Sequence, residues 1–195
     1  MGRLILMALV GTVLYSGAVQ AQDLPNYAQL EAESGTGFLG EKEDGVDLGT
    51  AKVYFTAPKG WLKEANVHAN NGQTFYFLKY RPADKDNTTF ILVTGLKAKD
   101  TDVVASAQRS VDSFRKKMPA ERFTDAKPVK VKRTGAAYFE RTSADGRSFW
   151  ARYQFLVAER ALKVQLMANQ GVNKKDLVVL EKLARSIRIE QINDK

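Results

Sequence analysis

Residues 128–168 restrict this chain more than any other stretch, because they read as four alternating segments with a turn after each of the first three. In 128–133, Val129 and Val131 alternate with Lys130 and Lys132, and Thr134-Gly135 turns into 136–142. Ser143-Ala144-Asp145-Gly146 then ends that segment with an Asp-Gly pair, which tolerates the positive backbone dihedrals of a tight hairpin. The long aromatic segment 147–157 follows, and Ala158-Glu159-Arg160 turns into 161–168. Side chains alternate faces along a strand, so four such segments in hairpin order predict an antiparallel sheet.

Earlier segments extend this sheet. Residues 51–57 are β-branched and aromatic and stop at Pro58-Lys59-Gly60-Trp61, a strand running into a turn. Residues 73–80 and 88–96 are apolar on both faces, as expected of covered central strands. The apolar period then lengthens. Val103, Val104, Ala107, Val111, Phe114 and Met118 fall on one helical face, with Asp100, Thr101 or Asp102 placed to cap its start and Pro119 to end it. A second helix begins at Asn173, with Asp176 at capping-box spacing and Leu177, Leu180, Leu183, Ala184 and Ile187 as its buried face. A short strand within 187–192 closes the pattern. The order predicts an α+β fold, an antiparallel sheet flanked by helices.

The N-terminus reads differently. Arg3 precedes a dozen mostly apolar residues, 4–15, and Val19 and Ala21 occupy the positions a signal peptidase reads. The expectation is a signal peptide over 1–21, cleaved between Ala21 and Gln22, and a periplasmic or secreted protein with no transmembrane segment in its mature form. Residues 22–49 form an acidic, glycine-rich arm read as a loop or loosely packed extension, and 50–195 form one α+β domain. Residues 22–50 carry seven acidic groups against Lys42 alone, whereas 51–195 carry 28 basic and 15 acidic groups, a net of +13. That contrast places the arm against the basic body.

Composition narrows the chemistry. The chain has no Cys and a single His, His68, which removes disulfides, thiolate nucleophiles, thiolate metal ligands and multi-histidine metal sites. No serine lies in a G-x-S-x-G elbow and no glycine-rich phosphate loop occurs. Glu41, Glu43, Asp44 and Asp47, and Asp84 with Asp86, miss the EF-hand ligand spacing and read as solvated loops. The expectation is a non-enzymatic chain without cofactor or metal. An exported basic protein meets anionic lipids and polymers more often than nucleic acid, so the expected partner is a protein or an anionic envelope component. A carboxylate-dependent hydrolase of the envelope is the alternative.

The candidate binding residues lie on the aromatic strand and its neighbours. Trp150, Arg152, Gln154 and Leu156 share one face of 147–157. Arg152 beside Trp150, with Lys130, Lys132, Arg141 and Arg147 on neighbouring segments, can form a basic, partly aromatic concavity for an anion. The same alternation also fits aromatic groups in the core and cations reaching outward to water.

The layout of 50–190 resembles the PsbP-like and DcrB-like family of small α/β/α domains. The resemblance rests on Pro58-Lys59-Gly60-Trp61 after a strand, the capped helix after paired strands, Gly135 to Phe139 before the aromatic strand, and Ser186-Ile187-Arg188-Ile189 after the last helix. It implies an α/β/α sandwich and a non-enzymatic role as an extrinsic subunit, adaptor or envelope protein. It supplies no catalytic residues.

Overall fold

The computed structural model describes residues 39–192 except 49–50, 71–72, 84–87, 99, 132–133 and 158–159; the side chains of 39–42 and 64–77 are not described. The expected signal peptide, the arm up to residue 38, Asp84, Asp86, Lys132 and the side chains of Glu41 and His68 therefore lie outside it.

The chain begins with β1 (Leu39–Asp47), β2 (Ala51–Pro58), β3 (Trp61–Asn70), β4 (Gln73–Pro82) and β5 (Phe90–Lys97). Helix α1 (Val103–Lys117) follows, then β6 (Arg122–Phe123), β7 (Lys127–Val131), β8 (Thr134–Thr142), β9 (Phe149–Val157) and β10 (Arg160–Ala168). Helix α2 (Lys174–Ser186) and β11 (Arg188–Gln191) close it. Eight strands make one antiparallel sheet in the order β3-β4-β5-β10-β9-β8-β6, with β7 also on β8, and β1-β2-β11 make a second sheet of three.

Local chemistry sets the element ends. Asp102 caps α1 by accepting hydrogen bonds from the backbone N–H of Val104 at 2.8 Å and Ala105 at 3.1 Å. Arg115, Lys116 and Lys117 sit at the negative end of its dipole. Asn173 caps α2 through the N–H of Lys175, and burial raises the pKa of the Asp176 carboxyl, a shift that its hydrogen bond with Thr89 opposes. Gly146, at φ 73°, closes the β8–β9 hairpin that its Asp-Gly pair predicts.

Alternation along β8, β9 and β10 divides the core between the two faces of the large sheet. Ala136, Tyr138, Ala151, Tyr153, Phe155, Val164 and Leu166 face α2 and the small sheet, packing on Val179, Leu180, Leu183, Val53 and Phe55. Ala137, Phe139 and Trp150 face the other way onto Ala107 and Val111 of α1. The two helices thus bury their stripes on opposite faces. The expected layer of helices is only half of what covers the inner face, because β1, β2 and β11 cover the rest and sheet outweighs helix in the fold.

The reading of 22–49 as a loop differs from the structure over its last part, since Leu39–Asp47 is β1. Asp44, Val46 and Leu48 face inward, at 8%, 5% and 1% exposure. An acid at the first of these positions hides the strand period from sequence. Lys63 Nζ donates to Asp44 Oδ1, and the Tyr80 hydroxyl donates to Oδ2 at 2.6 Å, so the carboxylate ties β1 to β3 and β4. Glu43 pairs with Arg188 at 3.3 Å. These acids are therefore strand residues, not a solvated loop.

Leu48 also fixes the composition of β5, because a Cβ on Gly95 would sit 2.5 Å from Leu48 Cδ2. Gly95→Ala is expected to cost about 1–3 kcal/mol by overpacking, and Leu48→Ala, which opens the space, to recover part of that loss in the double variant. Urea denaturation of the two single variants and the double variant measures the coupling.

Candidate functional site

The outer face of the large sheet, on the side of α1, carries the one group of described cations buried away from any carboxylate. Arg152 projects from β9 and is 7% exposed. Its guanidinium carbon lies 4.9 Å from the centre of the Trp150 ring, 5.3 Å from Phe139 and 5.5 Å from Phe114. Register supplies its polar contact: Arg152 lies directly opposite Gln165 of β10. Arg152 Nε donates to Gln165 Oε1 at 2.8 Å, Nη2 donates to the same oxygen, and Nη1 has no partner among the described residues. A neutral amide and three aromatic rings hold this charge. Burial lowers its pKa to about 10.

Lys163 stands two residue pairs along on the same face, opposite Gln154 and beside Thr94 of β5. Burial first, and the neighbouring Arg152 charge second, lower its pKa to about 8. No hydrogen bond or ion pair is formed by its ammonium among the described residues. Gln154, 1% exposed, donates from Nε2 to Ser106 Oγ at 2.9 Å and leaves Oε1 without a partner. Ser106 and Phe114 in turn line an open cleft of about 300 Å³ with Asp100, Arg109, Ser110 and Ser113. The cleft therefore runs along α1 and shares Ser106 and Phe114 with the surroundings of Gln154 and Arg152.

The residues singled out from sequence fall in four places. Trp150 and Arg152 meet face to face in this cluster. Arg141 is committed elsewhere: it grips Glu121 through Nε and Nη2 and donates to Ser148 Oγ at 3.0 Å. That pairing holds the Glu121 carboxyl below the usual carboxylate range. Arg147 lies in the exposed hairpin turn, where with Asp145 and Gly171 it borders a shallow depression of about 440 Å³. Lys130 is exposed on β7 opposite Gly135, and Lys132 lies outside the described residues.

Lys163, Gln154, Gln165 and Ser106 were not singled out. The signal available for Lys163 and Gln165 was their alternation with Leu162, Val164 and Leu166, which places both on the face away from the main core. Their proximity to Arg152 depends on register. Elsewhere, no three metal-ligating side chains converge among the described residues, and no described helix is long and apolar enough to cross a membrane.

With the two sheets and α1 placed, the architecture can be compared with known structures. It matches the solution structure of cyanobacterial PsbP (CyanoP) from Synechocystis sp. PCC 6803 at a TM-score of 0.54 and 11% identity, covering 80% of this chain and 96% of that one. The fold is PsbP-like. LpqN, involved in cell envelope biogenesis of Mycobacterium tuberculosis, matches at 0.46 and 15% identity over 76% of this chain and 90% of its own. The extracellular domain of PknH from the same organism matches at 0.34 and 12% identity, covering 84% and 92%. Scores below 0.5 mark a looser layout, so the PsbP-like fold rests on CyanoP. At such identities a PsbP-like fold says nothing about function, which has to be argued from the site. No protein-family model and no curated protein sequence matches the chain.

Proposed function

We propose that this protein is an exported, non-catalytic binding domain that takes an anionic group of an envelope component at Lys163 and Arg152. The observation that carries this reading is the pair of adjacent cations, one buried and one half-buried, with amides and aromatic rings around them and no carboxylate partner among the described residues. Burying unpaired charge destabilises a fold, so two such groups side by side are better explained by a ligand than by stability. Lys163 is the cation a ligand meets. Arg152 acts from beneath, where a low dielectric strengthens its field. Export is supported by the leader-like sequence of residues 1–21, and the non-catalytic reading by the absence of thiols and the single imidazole in the chain. A protein partner would satisfy the same site by presenting an acidic side chain.

Titration with inorganic phosphate tests the reading. Lys163→Gln and Arg152→Gln are each expected to weaken binding about tenfold, the scale of one charge-assisted hydrogen bond. Affinity unaffected by both substitutions would move the anion site elsewhere. Because an anion favours the charged ammonium, binding should also raise the Lys163 pKa above its free value near 8. At pH 8 the complex is expected to take up about half a proton. Calorimetry in buffers of different ionisation enthalpy reads that uptake, and its absence would remove Lys163 from the site.

A further inference from the structure

Helix α1 has two flanks beside its apolar stripe, and they differ. On one, Gln108 and Arg115 are tied to β6 and the segment after it. Arg115 donates to Asp125 and to the Phe123 carbonyl at 2.8 Å each, and Gln108 accepts from the Ala126 N–H at 2.9 Å. The other flank carries Ser106, Ser110 and Ser113, spaced i, i+4 and i+7 along one line of the helix. These serines, with Asp100, Arg109 and Phe114, line the open cleft of about 300 Å³, the lower end of the range for small-molecule sites. Serine is a weaker helix former than alanine, so helix formation does not account for the line.

Hydrogen bonding sets what the cleft offers. Gln154 Nε2 donates to Ser106 Oγ at 2.9 Å, which leaves the Ser106 hydroxyl hydrogen without an acceptor among the described residues. Ser106 is 7% exposed, and a buried hydroxyl with an unused hydrogen calls for a partner. Ser110 Oγ donates to the Ser106 carbonyl at 3.2 Å, so its lone pairs remain to accept. A donor and an acceptor thus stand one helical turn apart, roughly 6 Å along the axis, and alcohol groups can satisfy both. Asp100 and Arg109 pair with each other, so together they add no net charge to the cleft. Gln154 joins the cleft to the anion site. It bonds Ser106 and stands opposite Lys163 in register, where facing Cβ atoms lie about 5 Å apart.

We infer that the ligand is a phosphorylated polyol, with its phosphate at Lys163 and its hydroxyls in the cleft on Ser106 and Ser110. This rests on the anion site proposed above and adds the chemistry of the neutral part of the ligand. A bare anion would leave the Ser106 hydrogen unused. An alkyl phosphate would cover both serine hydroxyls without pairing them, which is costly.

Calorimetric titration of the purified protein with glycerol 1-phosphate and with propyl phosphate tests the inference, because the two share charge and carbon skeleton and differ only in hydroxyl groups. Glycerol 1-phosphate is expected to bind about tenfold more tightly, the scale of a pair of neutral hydrogen bonds. Ser110→Ala is expected to keep the propyl phosphate affinity and to lose about threefold of the preference, the share of one such bond. Its thermal midpoint should not fall, alanine being the better helix former. Gln154→Leu combined with Ser106→Ala removes both members of a buried pair and should remove the rest of the preference, while Lys163→Gln should weaken both ligands. Near-ultraviolet circular dichroism establishes that each variant is folded. Equal affinities of the wild type for the two phosphates would overturn the polyol and leave the anion site standing. Failure of both to bind would overturn both readings. A preference that survives the serine substitutions would overturn the cleft as its seat. Displacement of glycerol 1-phosphate by phosphatidylglycerol vesicles would support a lipid head group as the source of the polyol, and vesicles without effect would support a free polyol phosphate.

Discussion

Lys163→Met is expected to stabilise the protein by about 1–3 kcal/mol at pH 7 while weakening phosphate binding about tenfold. The ammonium is held among Gln154, Thr94 and Arg152, and burial brings its pKa down to about 8 from the 10.5 of an exposed lysine. Between those values the unfolded chain binds the proton that the folded chain has lost, so stability rises with pH across that window. The penalty is present in full below about pH 8 and is gone above about pH 10.5. Methionine keeps the length and apolar stem of the side chain and removes the charge, so the variant gains what the wild type gains only in alkali. Urea denaturation at pH 7 and pH 10 should show the wild type approaching the variant at the higher pH. An equal difference at both would mean that desolvation of Lys163 is not its source. A gain in stability paired with a loss of binding is the signature of a residue kept for its ligand.

Asp44→Ala is expected to cost about 2–4 kcal/mol. Tyr80 and Lys63 both donate to this carboxylate. The Tyr80 hydroxyl is 1% exposed, and losing its acceptor leaves a buried donor unmet. The Lys63 ammonium, with its side chain 37% exposed, can turn to water and contributes the smaller share. Burial, with the Asp44 bond next, raises the Tyr80 pKa far above 10, so this phenol stays a donor throughout the accessible range. Asp44→Asn keeps an acceptor for Tyr80 and should recover more than half of the loss. Tyr80→Phe in the Asp44→Ala background should recover part of it by removing the orphaned hydroxyl. Chemical denaturation of the set decides the matter. Equal stability of Asp44→Ala and wild type would show that β1 is held by its backbone pairing with β2 alone.

Elements with an uninterrupted period were legible in sequence, and those whose period polar groups interrupt were not. Helix α1 was readable because Val103, Ala107, Val111 and Phe114 repeat on one face and Asp102 stands at its start. Strands β8, β9 and β10 were readable from their turns and alternation. Strand β1 was not, because Asp44 takes an inward position normally given to an apolar residue, and its compensation by Tyr80 and Lys63 comes from strands far along the chain. Among the described residues, strand β3 ends the large sheet and pairs only with β4. Its Lys63, Glu64, Asn66 and His68 suit such an edge, which polar residues protect from further pairing, and they blur the apolar alternation.

The candidate site divides in the same way. Trp150 and Arg152 sit two residues apart on one strand, so alternation alone put them on a common face, and the structure brings ring and guanidinium to 4.9 Å. Lys130, Arg141 and Arg147 gave the same signal and are dispersed, because each position's surroundings depend on which strand end and which carboxylate lie nearby.

By itself the sequence determined the absence of thiol chemistry, the antiparallel strands of 128–168, both helices and their caps, and the pairing of an aromatic ring with a guanidinium. Those are set by residue identity and by spacing along a few turns or residues. Only the tertiary structure decided that Lys163 and Gln165 stand beside Arg152, and that α1 and α2 pack on opposite faces of the large sheet. Register and helix placement come from packing between segments distant in the chain, and no local period encodes them.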